Sequence, residues 1–314
     1  MTKILVSGGC GQIGTDLVPE LQKKYGKENI ITNDLREPES WDGILEIFDF
    51  QDVEKVEEVI KKHNITVIYH LACILSAAGE KIPYKTWEVN MQTLRNVLDL
   101  AVKYNLKIFW PSSIAVFGPS TPRDKTPQDT VMEPTTMYGI TKRAGEMLCN
   151  YYHKKFGVDV RSVRYPGLIS YKQEPGGGTT DYAVEIFYDS LKGKPFSCFV
   201  GPETTLPMMY MDDAIRASIE LMEAPAESIK IRTSYNLTAM SFSAEELERE
   251  VRKHIPALQV AYNPDKRQKI ADSWPASIDD TKAREEWGWQ HKVDLPEMTK
   301  IMIDELKRKF DGEN

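Results

Sequence analysis

The segment SGGCGQIG, residues 7–14, constrains the fold more than any other feature, because it joins a strand-like run to a helix-like run. KILVSG is apolar and β-branched, as is typical of a buried strand, and IGTDLVPELQKKYG has helical spacing. Gly8, Gly11 and Gly14 give G-x-x-G-x-x-G, and starting from Gly9 the loop also fits G-x-G-x-x-G. A strand, a glycine turn and a helix in this order predict the first β-α unit of a parallel sheet.

The same alternation continues through the first half of the chain. Strand-like NIITND, GILEIFDF, ITVIYHLA, KIFWPSS and VDVRSVRYPG alternate with helix-like VEKVEEVIKKHN, TWEVNMQTLRNVLDLAVKYN and MYGITKRAGE. We therefore expect an α/β fold of Rossmann type, with a doubly wound parallel sheet covered by helices on both faces. From about residue 167 the pattern gives way to Gly- and Pro-rich turns with isolated helices. This predicts a domain over 1–166, to which 206–226 returns, and a mainly substrate-binding α/β domain over 167–314.

Asp34 closes the second strand-like run, 20 residues after Gly14. Loop N–H groups and the helix N-terminus suit a pyrophosphate, and a carboxylate at this distance suits the ribose hydroxyls of a dinucleotide. Because a carboxylate repels a 2′-phosphate, NAD is favoured over NADP, although Arg36 leaves NADP open. The cofactor-binding residues predicted here are Gly8, Gly11, Gln12, Ile13, Gly14 and Asp34.

Two further strand ends are expected to contribute to this site, because ligands of such sheets collect at the carboxyl ends of the strands. The third strand ends at Asp49 and Phe50, which suit the amino group and ring of an adenine, and the fourth ends at Leu71 and Ala72. His70 precedes that strand end, so we expect it to be an interior residue and not a catalyst.

Tyr138 and Lys142 are four residues apart in a helix-like stretch, so their side chains lie on one face. A neighbouring ammonium favours the phenolate of a tyrosine, whose pKa is otherwise about 10. The pair alone is also compatible with the solvent edge of an amphipathic helix.

The glycine spacing, WPSSIAVFG and the Tyr138–Lys142 pair together resemble the extended short-chain dehydrogenase/reductase family. Ser113 stands 25 residues before Tyr138, as in members similar to UDP-sugar epimerases. The resemblance implies that Tyr138 is the general acid/base, that Lys142 holds the nicotinamide ribose and stabilises the phenolate, and that Ser113 hydrogen-bonds the reacting oxygen. Ser112 takes that role if the register is shifted by one. Asn90 falls where relatives keep an asparagine close to the cofactor.

The second half is similar to the NAD-dependent L-threonine 3-dehydrogenases of short-chain type, through RYPGLIS, PGGGTTDYA, LPMMYMDDAIRA and SWPASIDDTKAREEWGW. The resemblance implies oxidation of the 3-hydroxyl of L-threonine to 2-amino-3-oxobutanoate. GGGTTDYA suits a carboxylate, because N–H groups and two hydroxyls converge at a helix start; a turn without a ligand is the alternative. Trp274 is either part of a lid or a core residue. Leu168 joins the cofactor set, and the substrate set is Ser76, Ser112, Ser113, Tyr138, Gly178, Thr179, Thr180 and Trp274.

Three other functions stay open at this point. UDP-sugar epimerases usually carry an arginine for the diphosphate just before the segment equivalent to MMYMDD, whereas this chain has Leu206 and Pro207 there. Another extended short-chain dehydrogenase is harder to separate from the favoured function. A non-catalytic NAD-binding protein is disfavoured by the intact Ser, Tyr and Lys set.

Bulk properties limit the partners. The 314 residues carry a formal charge of −7, which argues against nucleic acid or an anionic membrane, and no apolar run has the length of a membrane span. The chain passes from Met1-Thr2-Lys3 directly into a strand-like run, so we expect no targeting peptide and either a cytoplasmic protein or a chain already processed. The four cysteines and five histidines show no ligand spacing, which predicts a metal-free enzyme.

A homodimer is expected from two helices that resemble the pair with which relatives build a four-helix interface, NMQTLRNVLDLAVKYN and GITKRAGEMLCNYYHKKF. The apolar stripe on the first helix could equally face the sheet of its own subunit. Its members are Met91, Leu94, Val97, Leu98 and Ala101.

Overall fold

The computed structural model describes residues 2–312 and divides into two compact units. The first unit holds the chain up to Ser113, Thr136–Arg164 and Ile215–Tyr235, and the second holds Ile114–Thr135, Tyr165–Ala214 and the chain from Asn236 onward. The segment that returns to the first unit therefore lies later than the predicted 206–226. Residues 114–135, which the sequence interpretation keeps in the first domain, belong to the second unit.

The first unit is built on a six-stranded sheet in the order β3-β2-β1-β4-β5-β7, and every neighbouring pair is parallel. The strand order reverses between β1 and β4, which is where doubly wound sheets bind their ligands. The predicted α/β fold of Rossmann type is confirmed. The strands in the first 165 residues are β1 Ile4–Ser7, β2 Ile30–Asp34, β3 Ile44–Ile47, β4 Val67–His70, β5 Lys107–Phe109, β6 Ser112–Ser113, β7 Val160–Arg161 and β8 Val163–Tyr165.

Four helices of the first unit form where the sequence predicts them: α1 Gly14–Tyr25, α2 Val53–His63, α4 Pro83–Tyr104 and α5 Met137–Phe156. The short α3 Ser76–Gly79 was not predicted. The α4 stripe packs on the sheet, since Leu94, Val97, Leu98 and Ala101 all lie in the core cluster with Leu5, Ile31 and Ile108. The stripe therefore faces the sheet of its own chain. This burial holds α4 against the sheet, with α5 packed beside it.

The second unit has shorter elements. Its two small sheets have the orders β13-β11-β9 and β10-β14. A separate three-stranded sheet, in the order β12-β8-β6, draws most of its residues from the first unit. The helix that begins at Ala244 starts with a capping box: Ser243 accepts from the Glu246 N–H, and the Glu246 side chain accepts from the Ser243 N–H. The remaining elements are β9 Gly167–Ile169, α6 Tyr182–Leu191, β10 Phe196–Cys198, β11 Thr205–Tyr210, α7 Met211–Glu223, β12 Tyr235–Asn236, β13 Met240–Ser243, α8 Ala244–His254, β14 Val260–Tyr262, α9 Lys266–Asp272, α10 Thr281–Trp287 and α11 Leu295–Gly312.

Candidate active site

The glycine loop lies between the end of β1 and the start of α1. Gly8 has φ +66°, and a Cβ there would lie 2.9 Å from the Ala72 backbone. A Cβ on Gly14 would lie 2.3 Å from the Gly9 carbonyl oxygen. The glycines therefore let the loop pack tightly against the end of β4 and against the first turn of α1, while Gly11 stays exposed. Such a cradle fits a pyrophosphate at the helix N-terminus.

Asp34 ends β2 and is tied to the glycine loop. Its Oδ2 accepts a hydrogen bond from the Cys10 N–H at 3.0 Å, and its Oδ1 accepts from the Leu35 N–H at 2.8 Å. Burial, and then the adjacent Asp34 carboxylate, raise the pKa of the Cys10 thiol to about 11. The acid that is expected to hold a ribose thus also fixes the shape of the loop.

The ends of β3 and β4 differ in what they expose. The Asp49 carboxylate is exposed and accepts from the Gln51 N–H at 2.8 Å, whereas Phe50 is 2% exposed and lies in the core. The Phe50 ring stacks on His70 with centroids 5.4 Å apart. A ring buried to this degree has little surface left for an adenine, so the predicted contact from Phe50 would have to come from its backbone.

His70 is an interior residue, as expected. Its Nδ1 lies 2.7 Å from Ser7 Oγ and its Nε2 lies 3.2 Å from Thr93 Oγ1. Burial lowers the pKa of His70 to about 3, and the Lys142 charge acts in the same direction. Ser7 also accepts from the Leu71 and Ala72 N–H groups, so the end of β4 is bound to the start of the glycine loop.

Asn90 connects three elements at this edge of the sheet. From α4, its Oδ1 accepts from the Ile74 N–H at 2.7 Å, and its Nδ2 donates to the Ile74 carbonyl and to Thr141 Oγ1 on α5. The N-terminus of α5 is also held, because Thr136 accepts from the Gly139 N–H. These contacts fix the helix that carries Tyr138.

Ser113, Tyr138 and Lys142 come together in the first unit. The Ser113 side chain is hydrogen-bonded to the Tyr138 hydroxyl. Lys142 is 3% exposed, its Nζ donates to the Pro111 carbonyl at 2.6 Å, and Nζ lies 5.5 Å from the centre of the Tyr138 ring. This set can transfer a proton to or from a hydroxyl held against Tyr138.

Burial acts against both charged forms in this set. It raises the pKa of Tyr138, although the Ser113 hydrogen bond lowers that pKa, and it lowers the pKa of Lys142. A positive charge beside the phenol favours its deprotonation. Lys142 is therefore placed where its charge counteracts the effect of burial on Tyr138.

The second unit holds the remaining predicted residues. In the GGGTTD turn, the Gly177 and Gly178 N–H groups both donate to Asp181 Oδ2 at 2.7 Å, so the amide of Gly178 is engaged within the turn. Thr179 is buried and Thr180 is partly exposed. Trp274 is 6% exposed, which favours a packed residue over a mobile lid. Leu168 pairs with Met209 between β9 and β11. The binding roles of these residues stay predictions, as does that of Ser76 at the start of α3.

Within residues 2–312, no group of three His, Cys, Asp or Glu side chains is arranged to hold a metal ion. The same part of the chain contains no helix with the length and hydropathy of a membrane span.

The NAD dependent epimerase/dehydratase family model matches residues 4–237. The chain belongs to this family. The predicted membership of the extended, epimerase-like short-chain group is thereby confirmed, and NAD is the cofactor that the family uses. The glycine cradle and Asp34 fit that cofactor on their own geometry.

Individual relatives are similar over nearly the whole chain. L-threonine 3-dehydrogenase, mitochondrial, of Bos taurus is 46% identical over 306 residues, which are 96% of this chain and 82% of the bovine protein. A solved L-threonine dehydrogenase of Cupriavidus necator, in its holo form, is 51% identical with a TM-score of 0.95 and covers 97% of this chain and 99% of its own. A solved monomeric L-threonine 3-dehydrogenase from a metagenome is 54% identical with a TM-score of 0.95, covering 98% and 99%.

Beside Ser113, Tyr138 and Lys142, the structure places two further residues that the sequence interpretation missed. Trp110 lies under Lys142, with Nζ 4.7 Å from the ring centre. Glu146 is fully buried and accepts from Ser112 Oγ at 2.7 Å, so the Ser112 hydroxyl is engaged there and Ser113 is the serine at Tyr138. One signal pointed to Glu146: it follows Lys142 by the same four residues that separate Lys142 from Tyr138.

Proposed function

We propose that this protein is an NAD-dependent L-threonine 3-dehydrogenase that oxidises the 3-hydroxyl of L-threonine to 2-amino-3-oxobutanoate. The observation that carries the proposal is the joined Ser113, Tyr138 and Lys142 set, in a chain that is similar over nearly its whole length to proteins of that name. The prediction of an oxidoreductase and the comparisons agree.

The chain's own residues divide the work as follows. The glycine loop, the start of α1 and Asp34 would hold NAD, which when bound supplies the hydride acceptor. Tyr138 Oη takes the proton of the substrate 3-hydroxyl, and Ser113 holds the same oxygen by a hydrogen bond. Lys142 keeps its positive charge next to Tyr138 and so favours the phenolate that the oxidation requires.

Substrate recognition needs donors for a carboxylate and an acceptor for an ammonium. We assign the carboxylate to the turn at Thr179 and Thr180, since the Gly178 amide already serves Asp181. Ser76 is the candidate at the ammonium end. Thr179→Ala should chiefly raise KM for threonine if this hydroxyl binds the ground state and the transition state alike.

The main alternative, a UDP-sugar 4-epimerase, lacks its expected anchor. Leu206 and Pro207 are both buried in β11, where they pair with Phe242 and Ser241 of β13. Neither side chain can neutralise a diphosphate. The cationic side chain that would bind the diphosphate of a nucleotide sugar is therefore absent at these two positions.

The deciding experiment is turnover with NAD against L-threonine, other hydroxy amino acids, UDP-glucose and UDP-galactose. We expect NADH with L-threonine, little or none with the UDP-sugars, and no loss of activity with EDTA. Epimerisation of a UDP-sugar without threonine oxidation would move the protein to the alternative. Inactivation by the chelator would contradict the metal-free mechanism.

We further propose a homodimer through α4 and α5. The proposal is supported by large apolar side chains that stay exposed on these helices: Tyr84 and Trp87 on α4, and Met147 and Tyr151 on α5. Light scattering at micromolar concentration should give the dimer mass, and Met147→Glu should lower it to that of the monomer. The metagenome relative is described as monomeric, and a monomer mass for the unmodified protein here would refute the proposal. The cytoplasmic location stays a prediction, and the name of the bovine relative is a reason to test it.

A further inference from the structure

Pro111 and the two residues of β6 each contact α5, and their partners on the helix are spaced four residues apart. The Pro111 carbonyl accepts from Lys142 Nζ at 2.6 Å, and Ser112 Oγ donates to Glu146 Oε1 at 2.7 Å. The Ser113 side chain is hydrogen-bonded to Tyr138. Positions i, i+4 and i+8 lie along one side of a helix. The catalytic pair is thus part of a longer row that Glu146 continues.

Glu146 carries a charge that is entirely removed from water. Its carboxylate receives Arg164 Nε at 2.8 Å on Oε1 and Arg164 Nη2 at 2.9 Å on Oε2. Arg164 is 1% exposed and belongs to β8, and Arg143 Nη1 also approaches Oε2, at 3.3 Å. A buried carboxylate is tolerated only when it is paired and hydrogen-bonded in this way. Glu146 therefore joins α5 to β8 through Arg164 and to β6 through Ser112.

We propose that Glu146 is a positioning residue for the reaction, acting through Ser112 to hold the Ser113 hydroxyl against Tyr138. This inference rests on the proposed function. Ser112 and Ser113 are joined by one planar peptide unit, so holding the Ser112 side chain against Glu146 limits how far the Ser113 backbone can turn. The strand is only two residues long. A contact at each of its side chains therefore sets its orientation against α5 more firmly than its few backbone hydrogen bonds can.

The test uses Ser112→Ala, which removes one hydroxyl and leaves the Glu146–Arg164 pair intact. We expect kcat to fall about 10-fold or more, because small displacements of a catalytic group have effects of this size. KM for NAD should stay within about 2-fold, since the glycine loop and Asp34 are unchanged. The ascending limb of the pH profile for oxidation, along which Tyr138 loses its proton, should move to higher pH, because the Ser113 hydrogen bond lowers the pKa of Tyr138. Ser112→Thr restores a hydroxyl and should recover most of kcat.

A matched control separates positioning from simple loss of a buried hydrogen bond. Ser162 is 1% exposed, and its Oγ lies 2.5 Å from Ser234 Oγ in the same unit. Ser162→Ala should lower the unfolding temperature about as much as Ser112→Ala but leave kcat and the pH profile unchanged. Equal losses of kcat in the two variants would overturn the proposal.

Glu146→Gln tests the carboxylate itself, because glutamine keeps the shape and one acceptor oxygen. We expect kcat to fall, and adding Ser112→Ala should cost much less in this background than in the unmodified protein, since the two residues act through one contact. Fully additive losses in kcat would contradict the proposal.

A readout that needs no substrate separates this proposal from the function on which it rests. The difference absorbance of the phenolate, taken against Tyr138→Phe, reports the Tyr138 titration in the NAD-bound protein. An upward shift in Ser112→Ala, reversed in Ser112→Thr, supports positioning even if L-threonine is not the substrate. An unchanged titration in Ser112→Ala overturns positioning even if L-threonine is oxidised.

Discussion

Tyr138 must ionise in surroundings that oppose its ionisation. Burial raises the pKa of this phenol, and the groups placed to lower it are the Ser113 hydroxyl and the Lys142 ammonium. Burial also lowers the pKa of Lys142, while nearby Cys73, Cys149 and Glu146 raise it. The base is thus maintained by a balance between desolvation and a few specific contacts, so single side chains are expected to have large effects.

The first prediction concerns the phenol. Tyr138→Phe removes the acid/base and should lower kcat by about 10² to 10⁴, which is the usual contribution of such groups. NAD binding, followed by fluorescence titration, should survive, because the glycine loop is untouched. Tyr25→Phe is the control: that hydroxyl binds Glu223 far along the chain and should not matter for kcat. Near-normal turnover by Tyr138→Phe would mean that the assigned base is wrong.

The second prediction concerns Asp34. Asp34→Ala should weaken the binding of NAD and reduce the preference for NAD over NADP. The reason is that the acceptor for the ribose hydroxyls and the charge that repels a 2′-phosphate are lost together. The hydrogen bond from the Cys10 N–H is lost as well, so the loop should loosen. KM for both cofactors is the measurement, and Glu37→Ala, which removes a nearby exposed charge, is the control. Equal use of NADP by the unmodified protein would refute this role of Asp34.

At the scale of elements, the reaction depends on how closely α5 lies against its neighbours. Gly145 stands between Lys142 and Glu146 in sequence, and a Cβ there would lie 2.4 Å from the Trp110 ring and 3.0 Å from Leu94. Glycine at this point therefore lets α5 approach both the segment before β6 and α4. The spacing between the helix and the serines is fixed by the absence of a single methyl group.

The third prediction follows from that spacing. Gly to Ala inside a helix normally stabilises by about 0.5–1 kcal/mol, but overpacking a filled site costs about 1–3 kcal/mol. Gly145→Ala should therefore lower the free energy of unfolding and also reduce kcat, because the helix must move away from Trp110. Urea unfolding and steady-state kinetics measure the two effects. In the control Gly312→Ala, the new Cβ meets nothing within 4 Å, and stability should stay level or rise.

The sequence predicted helices and strands best where an apolar pattern extended over many residues. All six parallel strands and the helices α1, α2, α4 and α5 follow from the apolar runs, because the strands are rich in apolar residues and each helix buries one face. The second unit was predicted only in outline, since strands of three residues such as β10 and β14 leave no pattern. Ser113, Tyr138 and Lys142 could be predicted because their spacing resembles that of a known family, although the Tyr138–Lys142 spacing alone was ambiguous. The pairing of Arg164 with Glu146 could not be predicted, because only the fold brings β8 to α5.

For the whole molecule, His70 links folding to pH. Its pKa is lowered to about 3 in the folded chain by burial, against about 6.5 in an unfolded chain. Between these values the unfolded state binds the proton and the folded state does not, so stability is present above pH 6.5 and is lost as the pH falls. Carboxyls with lowered pKa values, such as those of Glu46 and Asp159, add the same trend in more acidic solution. The pKa of Glu185 is raised by burial, so this group acts in the opposite direction.

The last prediction isolates the histidine. Between about pH 6.5 and 4.5 the free energy of unfolding should fall by up to about 1.4 kcal/mol for each pH unit through His70 alone. His70→Gln keeps polar atoms beside Ser7 and Thr93 but cannot titrate, so its stability should depend less steeply on pH, even if it is lower at neutral pH. Urea unfolding across this range is the measurement, and His254→Gln, at an exposed position, should retain the full slope. The contributions of the carboxyls are common to all three proteins and cancel in the comparison. Identical slopes for the unmodified protein and His70→Gln would show that the histidine takes up its proton without unfolding the chain.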